Sequence, residues 1–189
     1  MRQGGKMQLI EKYMPAYEFG ETHHIDVAAS PERAMSVVLA QRPEDDGFFR
    51  FAIRLREFPM RLLGQRSEAN PAPFGLDNFT LLERRGHSEV AYGLAGKLWR
   101  ANYVQATLAD AHAFQAFDTS GAVKLVVSFE CRLLEAGLTR VVTETRVHCL
   151  DKHALRRFTP YWYVIRPVSG IIRRRMLKII ARECRDPRL

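Results

Sequence analysis

The stretch Leu125–Cys149, LVVSFECRLLEAGLTRVVTETRVHC, decides how this chain is read. Two β-branched, alternating runs, Leu125 to Leu134 and Arg140 to Cys149, flank Ala136-Gly137, which is the pattern of an antiparallel hairpin. With a turn centred on Ala136-Gly137, Phe129 faces Glu144, Val127 faces Arg146 and Cys131 faces Val142. One face then carries Val127, Phe129, Cys131, Leu133, Val142, Glu144, Arg146 and His148. That face is the more apolar and is expected to look toward the helices. A one-residue slip in the turn would carry Glu144 and Arg146 to the other side, because side chains alternate with period two.

Working outward, Phe79 to Glu83 and Ser88 to Leu98 flank Arg85-Gly86 as a second hairpin, with Phe79, Leu81, Val90, Tyr92, Leu94 and Leu98 on its apolar face. Before it, Glu18 to Val27 reads as a strand, after an irregular lead over residues 1–15. Ser30-Pro31-Glu32 is a helix start with its N-cap and Pro at the first position, and that helix is expected to reach about Leu39. A second helix is expected over Gly47 to Leu63, from Phe48, Phe51, Leu55, Phe58 and Leu62, with Pro59 shortening or kinking it. A loop spans Ser67 to Asp77, and Ala109 to Phe117 is a short helix or loop. Asp151 caps a long C-terminal helix whose apolar stripe runs Leu155, Phe158, Trp162, Ile165, Ser169, Ile172, Met176, Ile179. Pro160 and Pro167 are expected to interrupt it. Strands grouped together, with helices kept to one side, make an α+β domain.

Length and composition agree. At 189 residues the chain suits one domain with a real core, and 47% apolar with 26% charged residues excludes a disordered protein. The net charge of +8 is not spread evenly. Residues 152–189 hold eleven Lys and Arg against Glu183 and Asp186, so the excess belongs to the C-terminal helix and the remainder is close to neutral. Three cysteines, Cys131, Cys149 and Cys184, without a CxxC, indicate neither a disulfide framework nor a zinc site and fit a reducing cytoplasm. No apolar run is long enough to span a bilayer, and the polar start has no apolar signal region. Patterned sequence begins only near Gln8, which makes Met7 a candidate start.

Chemical motifs are sparse. His23, His24, His87, His112, His148 and His153 form no HxxxH or HExxH, so no metal site is expected; of the neighbours His23 and His24, at most one looks inward. Gly93, Gly96 and Lys97 make neither a P-loop nor a dinucleotide fingerprint, so no cofactor is expected. A Gly-x-Ser-x-Gly is also missing.

Three segments together resemble a known superfamily. These are Ala29-Ser30-Pro31-Glu32-Arg33-Ala34, the strand Thr139 to Val147, and Tyr161-Trp162-Tyr163-Val164-Ile165-Arg166-Pro167 with Ser169-Gly170-Ile171-Ile172-Arg173-Arg174. They are similar to bacterial START-like proteins, the SRPBCC or helix-grip superfamily, which includes polyketide cyclases and lipid-transfer domains. The resemblance covers nearly the whole chain and implies one helix-grip domain over residues 1–189. In it a curved antiparallel sheet wraps a long C-terminal helix, with two short helices after the first strand and a ligand cavity between sheet and helix. It carries over no reaction and no catalytic motif.

Three functional readings follow. The first is binding of a hydrophobic small molecule, a lipid or an aromatic, polyketide-like metabolite, in a cavity lined by Tyr92, Phe129, Glu144, Arg146, His148, Phe158, Trp162 and Ile165. Glu144 and Arg146 would fix its polar end. The alternative for those two is a purely structural ion pair. The second reading is a cyclase, hydratase or isomerase on the same cavity, with Glu144 or His148 as general base and Arg146 stabilising an oxyanion. The third is a peripheral membrane or interaction role through Arg173, Arg174, Arg175, Lys178 and Arg182. Against nucleic acid stands the absence of any RNP-like motif, zinc finger or helix-turn-helix. A run of this kind is also the ordinary make-up of a solvated helix face. Oligomeric state and the identity of the ligand are not legible in the sequence.

Overall fold

The computed structural model describes residues 7–41, 79–100 and 105–185. The helix expected at Gly47 to Leu63 and the loop at Ser67 to Asp77 lie outside the described residues.

Among the described residues five antiparallel strands form the sheet: β1 (Phe19–Val27), β2 (Thr80–Arg85), β3 (Glu89–Gly96), β4 (Val123–Leu133) and β5 (Thr139–Cys149), in the order β1-β5-β4-β3-β2. Four helices accompany them among the described residues: α1 (Leu9–Tyr13), α2 (Pro31–Ala40), α3 (Ala111–Ala116) and α4 (Lys152–Arg185). This α+β arrangement is compatible with the helix-grip fold.

The central hairpin differs from the sequence expectation by one residue. Phe129 pairs with Thr143, Ser128 with Glu144 and Val126 with Arg146. The cause is the connection. A two-residue turn at Ala136-Gly137 would join residues whose numbers sum to an odd value. Instead Leu133 pairs with Thr139, and a 3₁₀ turn over Glu135–Gly137 lies inside a longer loop closed by Leu134 N donating to Leu138 O. Gly137, at φ +73°, supplies the left-handed residue this loop requires. The slip moves Glu144, Arg146 and His148 to the face opposite Phe129. The β2–β3 hairpin also differs from a turn centred on Arg85-Gly86: Arg85 pairs with Glu89 around a longer loop, and the register shifts between Leu81 and Glu83.

Helix α4 covers the face that carries Val90, Tyr92, Val127, Phe129, Thr143, Thr145 and Val147, here the inner face. Phe19, Leu94, Leu98, Val123, Val147, Phe158, Tyr161, Trp162 and Ile165 make one core beneath its first half. Phe158 stands 5.4 Å from Phe19 and 6.1 Å from Trp162 between ring centroids. A second core, with Val27, Met35, Val38, Val90, Phe129, Val141, Met176, Leu177, Ile180 and Cys184, joins α2 to its second half. There Arg33 Nη2 donates to Glu183 O at 3.1 Å, using a helix-terminal carbonyl that has no intrahelical partner.

Both ends of the α2 expectation hold. Ser30 Oγ accepts from Arg33 N and Pro31 opens the helix. Asp151 caps α4, accepting from Ala154 N at 2.7 Å, and also ties Ser120 Oγ and Gly121 N, which holds its carboxyl down at about 2. α4 runs unbroken through Pro160 and Pro167, contrary to the expected interruption. Both prolines are exposed, as are Arg156 and Tyr163 four residues earlier, so the carbonyls they leave without a donor lie on the solvent side. The stripe is as expected to Ile165 and then turns, with Leu177, Ile180 and Cys184 buried in place of Ile179.

Within the N-terminal lead, Leu9–Tyr13 is helical where an irregular segment was expected. α1 and the residue after it bury Leu9, Ile10, Tyr13 and Met14 against Leu82, Ala91, Phe114 and Val126 on the outer face, where α3 joins them. A Cβ on Gly93 would come within 2.7 Å of the Phe114 ring, so Phe114 packs flat only because residue 93 has no side chain.

Candidate functional site

The inner face carries a polar set that the sequence assigned to the wrong residues. On β1, alternation turns Glu21 and His23 toward α4 and leaves Thr22 and His24 exposed. His23 Nε2 lies 2.7 Å from Glu21 Oε1, and both side chains are largely buried. Glu21 pairs across the sheet with Thr145, and His23 with Thr143. Arg173 of α4 reaches down between them: Nη1 is 3.4 Å from Thr143 Oγ1, Nη2 is 3.3 Å from Thr145 Oγ1, and the guanidinium stands 6.0 Å from the Phe129 ring centroid. Tyr92 belongs to the same face, and burial pushes its hydroxyl above the usual tyrosine value. Gly170 makes the assembly possible, because a Cβ there would meet Glu21 Oε1 at 2.8 Å. The inner face therefore holds Glu21, His23 and Tyr92, met by Arg173 from α4, where the sequence placed Glu144, Arg146 and His148 beside Tyr92.

Beside this set, a groove of about 490 Å³ runs along β1, which is a sheet edge among the described residues. Tyr17, Gly20, Glu21, Thr22, His23 and Glu144 line it from the strand side, and Arg166 and Arg174 from α4. Both arginines are exposed, and among the described residues neither is engaged by an acid.

The eight cavity residues expected from sequence fall into two groups. Tyr92, Phe129, Phe158, Trp162 and Ile165 share the inner face with α4. The last three are closely packed core side chains. Glu144, Arg146 and His148 are on the other face. Arg146 Nε donates to Glu144 Oε1 at 2.7 Å, Nη1 donates to Met14 O at 3.1 Å, and the guanidinium covers the Tyr17 ring at 4.6 Å. The two ions thus pair with each other and fasten the segment after α1. His148 Nδ1 lies 3.4 Å from Glu18 Oε2 without hydrogen-bond geometry. Of the five cations expected on the surface, Arg174, Arg175, Lys178 and Arg182 are exposed, and Arg173 points inward.

Sequence reasoning missed Glu21 and placed Arg173 on the surface rather than inward. The signal for Glu21 was its place two residues before His23 on a strand already identified. For Arg173 it was the helical phase, since 165, 169, 173, 176 and 180 follow one line. Cysteine nucleophiles have no support: burial pushes the Cys131 and Cys149 thiols up to about 12 and raises Cys184. Among the described residues no three His, Cys, Asp or Glu side chains come together as metal ligands, and no helix is long and apolar enough to cross a membrane.

No known protein family and no curated protein matches the chain. Among solved structures it is similar to the hypothetical protein jhp0584 from Helicobacter pylori, with TM-score 0.39 at 7% identity, covering 95% of this chain and 98% of that one. It is also similar to TTHA0849 from Thermus thermophilus, with TM-score 0.34 at 9% identity, over 88% and 97%. Ara h 8.0201 follows with TM-score 0.23 at 6% identity, over 82% of this chain and 97% of that chain.

Proposed function

We propose that this chain is a START-like, helix-grip domain that binds a small amphipathic molecule between β1 and α4. The ligand's anionic end would meet Arg166 and Arg174, and its apolar part would lie along the groove toward the inner face. One observation carries the reading. A Glu21–His23 pair and Arg173 are held beneath α4 at the point where Gly170 opens the helix, next to a groove with two unengaged guanidinium groups. Burial of such groups is costly unless they are partnered, and here Glu21 meets His23 while Arg173 meets Thr143 and Thr145, which keeps a polar cluster beside the groove. Compared with the hydrophobic ligand expected from sequence, the polar lining favours one with a charged head.

The test uses 1-anilinonaphthalene-8-sulfonate, an apolar fluorophore with one anionic group. Saturable 1:1 binding to the native protein is expected, weakened about tenfold or more in Arg166→Gln/Arg174→Gln, where two charge-assisted contacts are removed. No saturable binding, or equal binding by the double variant, overturns the proposal.

A second reading, an enzyme using the same groove, rests on the His23–Glu21 contact, since a carboxylate-oriented imidazole is a common general base. It predicts deuterium exchange into a β-dicarbonyl probe in heavy water that exceeds the buffer rate and is lost in His23→Gln. Exchange at the buffer rate sinks it.

A further inference from the structure

We infer that the outward face of α4 docks on an anionic membrane surface. At 100° per residue, one arc of this helix holds Arg156, Arg157, Arg174, Arg175, Lys178, Arg182 and Arg185, and every one of them is exposed. Between the two groups of cations, the same arc carries Tyr163, Val164 and Ile171 at 65%, 52% and 52% exposure, with Pro160 and Pro167 beside them. From Arg156 to Arg185 it extends about 44 Å. It contains no acid: the only one in α4, Glu183, lies on another side, where Gln41 Nε2 donates to it at 2.7 Å.

A solvated face would account for the arginines and not for three large apolar side chains set among them. A second copy would have to bring a long acidic strip, and the sequence before α4 holds no acidic run longer than Glu44-Asp45-Asp46. An anionic bilayer supplies both halves of the complement. Its headgroups attract a row of Lys and Arg, and its interface accepts a tyrosine and short aliphatic side chains at shallow depth. The other face of α4 is occupied by the sheet, so the helix would lie flat on the lipid with the domain behind it. This inference shares only Arg174 with the ligand reading above, and the variants that test it leave Arg174 and the other groove residues in place.

The experiment is co-sedimentation of the full chain with vesicles of phosphatidylcholine alone or mixed equally with phosphatidylglycerol. Binding to the mixed vesicles only is expected, falling steeply as salt rises from roughly 50 to 500 mM. Lys178→Glu/Arg182→Glu should weaken it about tenfold or more. Tyr163→Ser/Ile171→Ser should weaken it several-fold at every salt concentration, because those groups contribute area and not charge. Both double variants should keep the native thermal transition and the native affinity for the anilinonaphthalene probe. Binding that is indifferent to phosphatidylglycerol, or unchanged in both variants, overturns the inference. So does a duplex DNA that competes with vesicles while Tyr163→Ser/Ile171→Ser binds lipid normally, or a dimer in sedimentation velocity that the arc variants dissolve.

Discussion

Arg146 engages three groups at once, the Glu144 carboxylate, the Met14 carbonyl and the face of the Tyr17 ring, and its side chain is only 11% exposed. Removing it leaves Glu144 half-buried without its cation. Arg146→Met is therefore expected to cost about 2 kcal/mol in chemical denaturation, and Glu144→Gln less, because an amide oxygen can still accept from the guanidinium. Because Glu144 also lines the groove, Arg146→Met should weaken binding of the anionic probe several-fold by leaving that carboxylate unpaired; unchanged affinity would confine the pair to a structural role. Glu89 behaves in the opposite sense. Burial on the outer face raises its carboxyl above the usual value, and nearby Glu130 adds to this, while the Leu9 amide and Arg85 work against it. Folding then favours the protonated acid, so native stability gains as pH falls through the raised value and carries a penalty above it. Glu89→Gln keeps an acceptor for Leu9 N and should stabilise at pH 7 by less than about 1 kcal/mol, an advantage that closes below the ordinary carboxylate range. Thermal scans across pH read this directly, and a gain that persists in acid would contradict it.

At the scale of elements, the strands and helix starts were legible because local chemistry marks them: Ser30-Pro31, Asp151 and the alternation in β4 and β5 each name their element. Register was not legible, since it depends on how many residues the turn between β4 and β5 consumes, and a loop closed by Leu134 and Leu138 with Gly137 left-handed looks in sequence much like a two-residue turn. That single residue decided whether Glu144 and Arg146 or Thr143 and Thr145 faced the helix. The phase of α4 past Pro167 was the second uncertainty, and it hid Arg173. Gly170 joins the two elements and gives a clear prediction. Alanine is the better helix former by about 1 kcal/mol, but its methyl group would displace the Glu21 carboxylate, the mobile end of a side chain. Gly170→Ala should thus shift the melting temperature by less than about 3 °C while lowering probe affinity several-fold. Unchanged affinity would detach the groove's ligand from the Glu21–His23 pair.

Over the whole molecule, the sheet separates two jobs. Its inner face, under α4 and α2, holds the two main cores and, between them, the polar set; its outer face is covered by α1 and α3 and is tied down by Arg146 and Glu89. The concentration of charge in the last helix was readable from composition alone, whereas the outer layer was not, because α1 is five residues long and has no side-chain cap of its own. It forms where Glu89 accepts from Leu9 N and where Leu9, Ile10 and Tyr13 find the sheet. If the two faces are independent, a fault in the outer layer should cost stability and spare the groove. Gly93 tests this. A Cβ there would approach the Phe114 ring at 2.7 and 2.9 Å and Leu82 at 2.8 Å, and Phe114 is fully buried with no room to withdraw. Gly93→Ala is expected to destabilise by about 1–3 kcal/mol through overpacking, with the melting temperature several degrees lower. Below that transition, its affinity for the anionic probe should equal that of the native protein, the reverse of the outcome at Gly170. Loss of both properties together would mean that the two layers form one cooperative site, and that the groove depends on how α1 and α3 seat against the back of the sheet.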